Sequence, residues 1–359
     1  MIKRLFARSR PSSGAAAANL LDSPSVQNPE RPSLDGRVRV DCLPFERRAA
    51  HELSYGDFLQ SFVHVGKPVV VTGVASDWPA LRKWTPQHFK QRFGSKAVAI
   101  TYSKSMPFDE FIDAVNDSCD ERPGPYMFRC FLHESLPELL PDVIPQNLYG
   151  FPRRHASPLM PEKWRRPDGY LKLLVGGIGS KFPIMHFDGE NAHAFITQIH
   201  GEKEFVMFAP EDGRYLYPGD FVNQSSVDDP VLQDRVRFPL LAHAKPYRAV
   251  LGPGDMIFVP AKWWHAARAV SPSISVCTAM LDASNWKGFV AEVAGSRRKI
   301  PLRLRLHLTG KVLAACERLQ VRAPRLARSL IFPQLLAPIS AAHTSEPSSS
   351  QLRIRIPTA

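Results

Sequence analysis

The sequence predicts a mainly β fold, an antiparallel sandwich or barrel with flanking helices. From Tyr170 onward, short apolar runs alternate with turn residues, which is typical of such folds. Before Tyr170, single helix and strand patterns alternate without repeats, and after Trp286 apolar residues recur at helical spacing among arginines. These three observations put the β core in the middle of the chain.

Composition and cysteine usage narrow the class of protein. The chain has 359 residues, 44% of them apolar, which is enough for one large core with appendages. Its five cysteines form no CxxC pair, so neither a disulfide framework nor a structural zinc site is indicated, and we expect a reducing, cytoplasmic setting. No apolar stretch reaches the roughly 20 residues that a membrane-spanning helix needs.

The net charge of +12 is concentrated near the C-terminus. From Arg297 onward, 12 Lys and Arg residues face only Glu317 and Glu346, a surplus of +10, and residues 1–22 add +3. This leaves residues 23–296 at −1. A nucleic acid or another anionic partner would therefore bind the C-terminal segment.

The N-terminal residues 1–38 are rich in Ala, Ser, Pro and Arg without apolar periodicity, which indicates a disordered basic leader. The four bases before the first acid leave a transit peptide as the alternative.

Residues 39–169 are expected to form an α/β part. The β-branched run from Lys67 to Val74 ends at a turn glycine and predicts a strand. A helix is expected to begin at Pro86, with Thr85 as its N-cap, and to end at Phe93. A strand over 98–102 and a short helix over 107–115 follow.

Residues 170–286 carry the succession of short strands. The expected strands are Tyr170–Val175, Ile184–Asp188, Ala194–His200, Glu204–Ala209, Ala249–Leu251, Met256–Val259 and Ser273–Ala279. Gly201-Glu202 predicts a tight hairpin, and the segment from Gly252 to Asp255 predicts another turn. About eight such strands in two sheets would form a double-stranded β-helix.

A basic helical segment is expected over 287–343, with helical spacing as far as Leu336, and 344–359 form a loose Ser/Pro-rich tail. Three roles stay open for the helical segment: docking on the β core, pairing two subunits into a homodimer, or contacting an anionic surface.

The candidate metal ligands are His186, Asp188 and His265. Residues two apart on a strand point to the same face, so His186 and Asp188 can bind one ion together. A second histidine from a neighbouring strand, His265, would complete a facial triad of two histidines and a carboxylate. Such a triad holds Fe(II) and leaves the other coordination positions open.

Several motifs, in this order, resemble the JmjC/cupin-like oxygenases, a family that includes the asparaginyl hydroxylase acting on hypoxia-inducible factor. The motifs are Pro-Val-Val-Val-Thr-Gly, Trp-Pro-Ala-Leu-Arg-Lys-Trp, His-Phe-Asp, Gln-Ile-His-Gly-Glu-Lys, Tyr-Leu-Tyr-Pro and Gly-Pro-Gly-Asp with Trp-Trp-His. The resemblance implies a cupin jelly roll, the three ligands named above as iron ligands, and Lys203 and Tyr126 as residues that bind the distal carboxylate of 2-oxoglutarate. A long ammonium side chain that follows the turn at Gly201 is also physically suited to an inward-facing dicarboxylate.

The same resemblance implies Fe(II) and 2-oxoglutarate as cofactors and hydroxylation of a C–H bond. The implied substrate is a protein or peptide side chain, with a small molecule or a tRNA base as other options. Three positions depart from the family pattern: Ala194 and Cys277 stand where many relatives carry Asn, and Pro183 stands where a Thr often bonds to 2-oxoglutarate. These changes leave the triad intact but remove hydrogen bonds that seat the cosubstrate.

Other residues near these motifs have simpler structural interpretations. The stretch from Gly176 to Gly179 lacks the strand-to-helix context of a dinucleotide loop and is expected to be a turn. If strand alternation continues, His193 lines the cavity, whereas His200 is expected at the surface. Trp263 and Trp264 are expected to pack in the core.

Two alternatives from other functional classes stay open. A cupin hydrolase or isomerase would use the same three ligands for zinc or manganese, although it has no need of Lys203. A catalytically impaired scaffold would bind its partners through the basic C-terminal segment.

Overall fold

The structure is a computed structural model that describes residues 37–101, 103–143, 149, 171–182, 184–294, 300–323 and 326. The expected leader up to residue 36, the loose tail 344–359 and Pro183 lie outside the described residues.

The described residues form strands β1 to β15 in chain order. They are β1 (Arg37–Arg39), β2 (Leu43–Pro44), β3 (Arg47–Ala49), β4 (Val69–Thr72), β5 (Ala97–Ala99), β6 (Ser105–Pro107), β7 (Tyr126–Phe131), β8 (Lys172–Gly176), β9 (His193–His200), β10 (Lys203–Phe208), β11 (Leu232–Asp234), β12 (Tyr247–Leu251), β13 (Met256–Val259), β14 (Trp264–Ala269) and β15 (Ser273–Met280). The helices are α1 (Tyr55–Phe58), continued by a π-helical turn (Leu59–Val63), α2 (Ala80–Lys83), α3 (Pro86–Phe93), α4 (Phe108–Asn116), α5 (Leu132–Ser135), α6 (Trp286–Ala294) and α7 (Ile300–Arg322). Short 3-10 turns cover Pro137–Asp142, Pro210–Tyr215 and Pro239–His243.

Two facing sheets form the double-stranded β-helix. The larger has the strand order β3-β4-β13-β9-β15-β8-β7 and the smaller has the order β14-β10-β12-β2. Apolar side chains from both sheets fill the space between them, and their burial stabilises the pairing. They include Phe45, Val70, Leu174, Ile196, Phe205, Met207, Leu251, Ile257 and Ala267. The predicted mainly β class is confirmed.

Strand β9 shows why the core excludes water on both sides of the larger sheet. Ala194 and Ile196 face the space between the sheets, whereas Phe195 faces outward and packs against Phe58 of α1. Helices α1, α3 and α4 cover this outer face. A strand covered on both faces has a nearly continuous apolar sequence, as β9 does.

The helix predicted over residues 86–93 is confirmed by α3. The Thr85 hydroxyl accepts a hydrogen bond from the His88 backbone N–H at 3.1 Å, and Pro86 occupies the first turn. The strand expected over 98–102 is shorter, because β5 ends at Ala99.

The predicted hairpin at Gly201-Glu202 is wrong. Strand β9 pairs with β13 and β15, whereas β10 pairs with β12 and β14, so this turn carries the chain from one sheet to the other. Gly201 has φ +66, and a Cβ there would lie 2.0 Å from the Pro272 carbonyl oxygen. A tight turn between apolar runs has the same local sequence whether the strands pair or separate, which is why the pattern misled.

The strand predicted over Ile184–Asp188 is also wrong in form. His186 makes only isolated bridges, to Gln224 and to His265, and no regular ladder follows. Glu190 and Asn191 have positive φ angles, which turn the chain away from an extended course. His265, by contrast, is the second residue of a regular strand, β14.

Helices α6 and α7 pack against the end of the β core. The Trp286 indole donates to the Leu306 carbonyl at 2.7 Å, and the Ala283 N–H donates to Glu317 at 2.7 Å. Of the three roles left open for this segment, the structure therefore shows the first, docking of the helices on the β core. Across the described part of the chain, every helix falls short of the length and apolarity that a membrane crossing requires.

Candidate metal centre

His186, Asp188 and His265 come together at one end of the β core. The backbones of the two histidines bridge each other, with His186 N–H donating to the His265 carbonyl at 3.1 Å and the reverse bond at 2.7 Å. Asp188 reaches both rings, with carboxylate oxygens 3.9 Å from each Nε2. One potential ligand atom from each residue lies within 4.8 Å of the others, which is a spacing that one metal ion can bridge.

Hydrogen bonds on the far side of each ring orient the two histidines. Nδ1 of His186 donates to the Ile184 carbonyl at 2.9 Å, and Nδ1 of His265 donates to the Trp263 carbonyl at 3.1 Å. These bonds fix the proton on Nδ1 and leave the Nε2 lone pair directed at Asp188 and the shared space. This is the tautomer that a metal ligand requires.

Burial, reinforced by the nearby His265, lowers the pKa of His186 to about 4. The imidazole is therefore neutral near pH 7, and neutral imidazole is the form that binds a metal. Two imidazole nitrogens and one carboxylate fit Fe(II) in a facial triad, and the same donors fit zinc.

A second polar site lies deeper between the sheets, around Lys203. This side chain is 0% exposed, and its ammonium donates to Ser275 Oγ at 2.6 Å and Tyr126 Oη at 3.2 Å. Within the described ranges, no carboxylate lies within ion-pair distance of it. Burial lowers the pKa of Lys203 from 10.5 to about 7 and raises the pKa of Tyr126 above its usual range.

A buried ammonium with hydroxyl partners alone is costly, because two neutral hydroxyls do not replace its hydration. An anion bound beside it would provide the missing charge. The pocket around Lys203 thus fits one end of a carboxylate ligand.

Ser275 is held in place by Gln198. The Ser275 hydroxyl donates to Gln198 Oε1 at 2.7 Å, and the Gln198 amide nitrogen donates to the carbonyls of His200 and Gly201 at 2.6 and 3.0 Å. The Ser275 lone pairs therefore face Lys203. The sequence interpretation missed Ser275, although its position two residues before Cys277 on a strand puts both on one face.

The Lys203 pocket and the triad are neighbours. The Phe182 ring lies 6.1 Å from the Tyr126 ring and stacks on the His186 ring at 4.5 Å, so one aromatic side chain separates the two sites. The Cys277 thiol faces the same space. Burial raises its pKa to about 11, and Lys172, Asp188 and Lys203 all act on it electrostatically.

The remaining candidates have structural roles. His193 does not line the cavity, because its Nε2 lies 3.0 Å from Ser284 Oγ and its Nδ1 accepts from the Ala261 N–H at 2.8 Å. It belongs to the outer face of β9, which the alternation from His186 could not establish across the irregular turn. Trp263 and Trp264 are buried, as predicted.

Comparison with known proteins gives a family match for most of this region. Residues 56–279 match the family model described as Cupin-like domain. The chain is 28% identical over 240 residues to "Jumonji C domain-containing protein 5" of Drosophila melanogaster, covering 62% of this chain and 57% of the fly protein. It is 30% identical over 268 residues to "Lysine-specific demethylase JMJ21" of Arabidopsis thaliana, covering 72% of this chain and 27% of that protein.

A third relative has a length closer to that of this chain. The "tRNA wybutosine-synthesizing protein 5" of Gallus gallus is 28% identical over 295 residues, which cover 76% of this chain and 80% of the chicken protein. By contrast, the chain spans only about half of the fly protein and about a quarter of the Arabidopsis protein.

Proposed function

Because the chain belongs to the cupin-like (JmjC) domain family, we propose that it is an Fe(II)- and 2-oxoglutarate-dependent dioxygenase that hydroxylates a C–H bond. The observation that carries the proposal is the position of Lys203. Its buried ammonium faces no carboxylate among the described residues and lies one aromatic ring away from the triad. A metal site beside a pocket for a distal carboxylate is what a metal-chelating oxoacid needs.

Each residue has a separate task in this proposal. His186, Asp188 and His265 would hold the metal on one face, and their fixed tautomers keep Nε2 free for it. Lys203, Ser275 and Tyr126 would bind the distal carboxylate. When bound, Fe(II) and 2-oxoglutarate supply the oxidising chemistry with dioxygen, while the protein orients the target carbon and excludes water.

The protonation state of Lys203 also depends on the ligand. Because burial lowers the pKa of Lys203 to about 7, the amine titrates near neutral pH in the ligand-free protein. A carboxylate bound at Nζ favours the ammonium and raises this pKa, so binding takes up a proton. The pocket thereby selects an anion and discriminates against neutral ligands.

The proposed substrate is a protein or peptide side chain. The names of two relatives indicate different substrate classes: one is a lysine-specific demethylase, and the other is a tRNA wybutosine-synthesizing protein. The near-neutral charge of residues 23–296 supports a protein or peptide over a polyanion at the core itself.

Anaerobic reconstitution with Fe(II), followed by measurement of succinate formed from 2-oxoglutarate and oxygen, tests the proposal. The unchanged chain should form succinate slowly even without its prime substrate. His186→Ala and Lys203→Ala should abolish it, and Lys90→Ala, on the surface of α3, serves as the matched control.

Failure of the unchanged chain to bind either Fe(II) or 2-oxoglutarate would refute the dioxygenase and favour a scaffold. Tight zinc or manganese binding with no affinity for 2-oxoglutarate would favour a hydrolase or isomerase with the same ligands.

A further inference from the structure

A second lysine lies on the inner side of the larger sheet. Lys172 begins β8, where it is paired with Cys277 of β15 on one side and with Phe131 of β7 on the other. Leu174, two residues further along β8, is part of the apolar filling between the sheets. Because residues two apart share a face, the Lys172 side chain points to the same inner space as Leu174.

The Lys172 ammonium has no carboxylate partner in the part of the chain that the structure describes. Its Nζ lies 5.4 Å from the centre of the Phe131 ring, and the side chain is only partly exposed. Its charge reaches the candidate metal centre. Burial and His265 are the main reasons for the low pKa of His186, and Lys172 acts in the same direction on His186 and on Cys277.

The strand positions beside the two lysines are separated by a distance close to the length of a short dicarboxylate. Lys203 is anchored at Ser275, and Lys172 is paired with Cys277, two residues further along the same strand. Two residues of a strand span about 7 Å. The carboxyl carbons of an extended five-carbon dicarboxylate are about 5 Å apart, and each carboxylate adds its own oxygens to that length.

The side chains between these lysines offer little hydrogen bonding. Ala194 faces the inner space and has no polar atom in its side chain. Cys277 presents a thiol, which is a weak donor and points its hydrogen at the Thr278 carbonyl, 3.9 Å away. On the metal side of the pocket, Lys172 is therefore the strong donor that these strands provide.

We propose that Lys172 binds the metal-side carboxylate of the 2-oxoacid, while Lys203 binds the distal one. The inference rests on the proposed function, and it assigns one end of the cosubstrate to each lysine. An ammonium in this position compensates for weak neighbours because charge-assisted hydrogen bonds are about twice as strong as neutral ones.

Three ligands that differ at one end separate the two lysines. 2-Oxoglutarate has both carboxylates, 4-oxopentanoate lacks the metal-side one, and 2-oxopentanoate lacks the distal one. Binding to the Mn(II)-loaded full chain is measured by titration calorimetry, without turnover. The variants are Lys172→Gln, Lys172→Met, which keeps the stem over Phe131, and Lys203→Met, with Lys90→Gln as the surface control.

Both Lys172 variants should bind 2-oxoglutarate and 2-oxopentanoate about tenfold more weakly and 4-oxopentanoate unchanged. Lys203→Met should show the opposite selectivity, with 2-oxopentanoate unchanged. Lys90→Gln should match the unchanged chain with all three ligands.

Unaltered 2-oxoglutarate affinity in both Lys172 variants would overturn the inference, and a loss confined to Lys203→Met would leave the dioxygenase proposal standing. An equal loss for all three ligands would also overturn it, since that result indicates a disturbed barrel rather than a lost contact. If the unchanged chain binds none of the three ligands, the proposed function fails and the assignment fails with it.

Discussion

Replacing Lys203 with methionine should make the ligand-free protein more stable near pH 6. Burial lowers the pKa of Lys203 from 10.5 to about 7, a difference of about 3.5. At pH values below the folded-state pKa, the buried ammonium therefore lowers the free energy of unfolding of the unchanged protein by about 5 kcal/mol. Methionine removes that cost but also removes the hydrogen bonds to Ser275 and Tyr126, worth about 1–3 kcal/mol together. The expected net gain is therefore about 2–4 kcal/mol.

The gain should disappear as the pH rises. Between about pH 7 and pH 10.5, the unfolded chain holds a proton on Lys203 that the folded chain has released, so the stability of the unchanged protein increases with pH. Urea unfolding of the metal-free full chain, followed by circular dichroism at several pH values between about 6 and 9, measures the difference. For Lys90→Met, the difference in stability from the unchanged chain should stay the same at every pH.

A Lys203→Met protein that is less stable than the unchanged chain by the same margin at every pH would refute this reasoning. It would mean that the ammonium carries no desolvation penalty in the folded state. The inference that the pocket lacks an anion would then be wrong.

Four further outcomes are expected. The affinity for 2-oxoglutarate should fall by about tenfold per pH unit above pH 7, because Lys203 loses its proton and with it the positive charge that binds the carboxylate. An affinity that does not change with pH in titration calorimetry would contradict this. Ser275→Ala should weaken 2-oxoglutarate binding by about threefold to tenfold with Mn(II) affinity unchanged, and a loss of both would contradict its assigned role. Gly201→Ala should lower stability by at least about 2 kcal/mol in urea unfolding, because its Cβ would collide with Pro272 in a left-handed turn. Leu304 and Leu308 are 58% and 49% exposed on one side of α7, which is a surface on which two subunits could pair. If they do, Leu308→Lys should convert a dimer into monomers in light scattering, whereas a monomeric unchanged chain would exclude the dimer.

The sequence predicted the residues that meet, but it did not predict the path of the backbone between them. The spacing of His186 and Asp188 and the Trp-Trp-His segment were enough to propose the triad. The chain nevertheless reaches it through isolated bridges rather than through a regular strand. Local propensity could not reveal this, because positive φ angles at Glu190 and Asn191 depend on packing against later residues.

Two inner-face residues were missed for a different reason. Strand β7 is packed on both sides, with Tyr126 facing the inner space and Met127 facing the helices, so it shows no alternation that would identify it as a strand. Without β7 and its pairing with β8, Lys172 has no assigned face. Ser275 could have been found, because it lies two residues before Cys277 and on the same side of the irregularity in the pairing of β15 with β9, so both side chains share a face.

The bonds that hold His193 tie the metal centre to the last helices. His193 accepts from the Ala261 N–H in the turn that leads to His265, and its other nitrogen lies beside Ser284. The next residue back, Ala283, is bound by Glu317 of α7, and Lys262 of the same turn forms an ion pair with Glu292 of α6. A protein shortened before Ile300 would thus lose part of the support of a metal ligand, so the C-terminal helices are not a detachable module, and truncation is a poor way to isolate an independent catalytic unit.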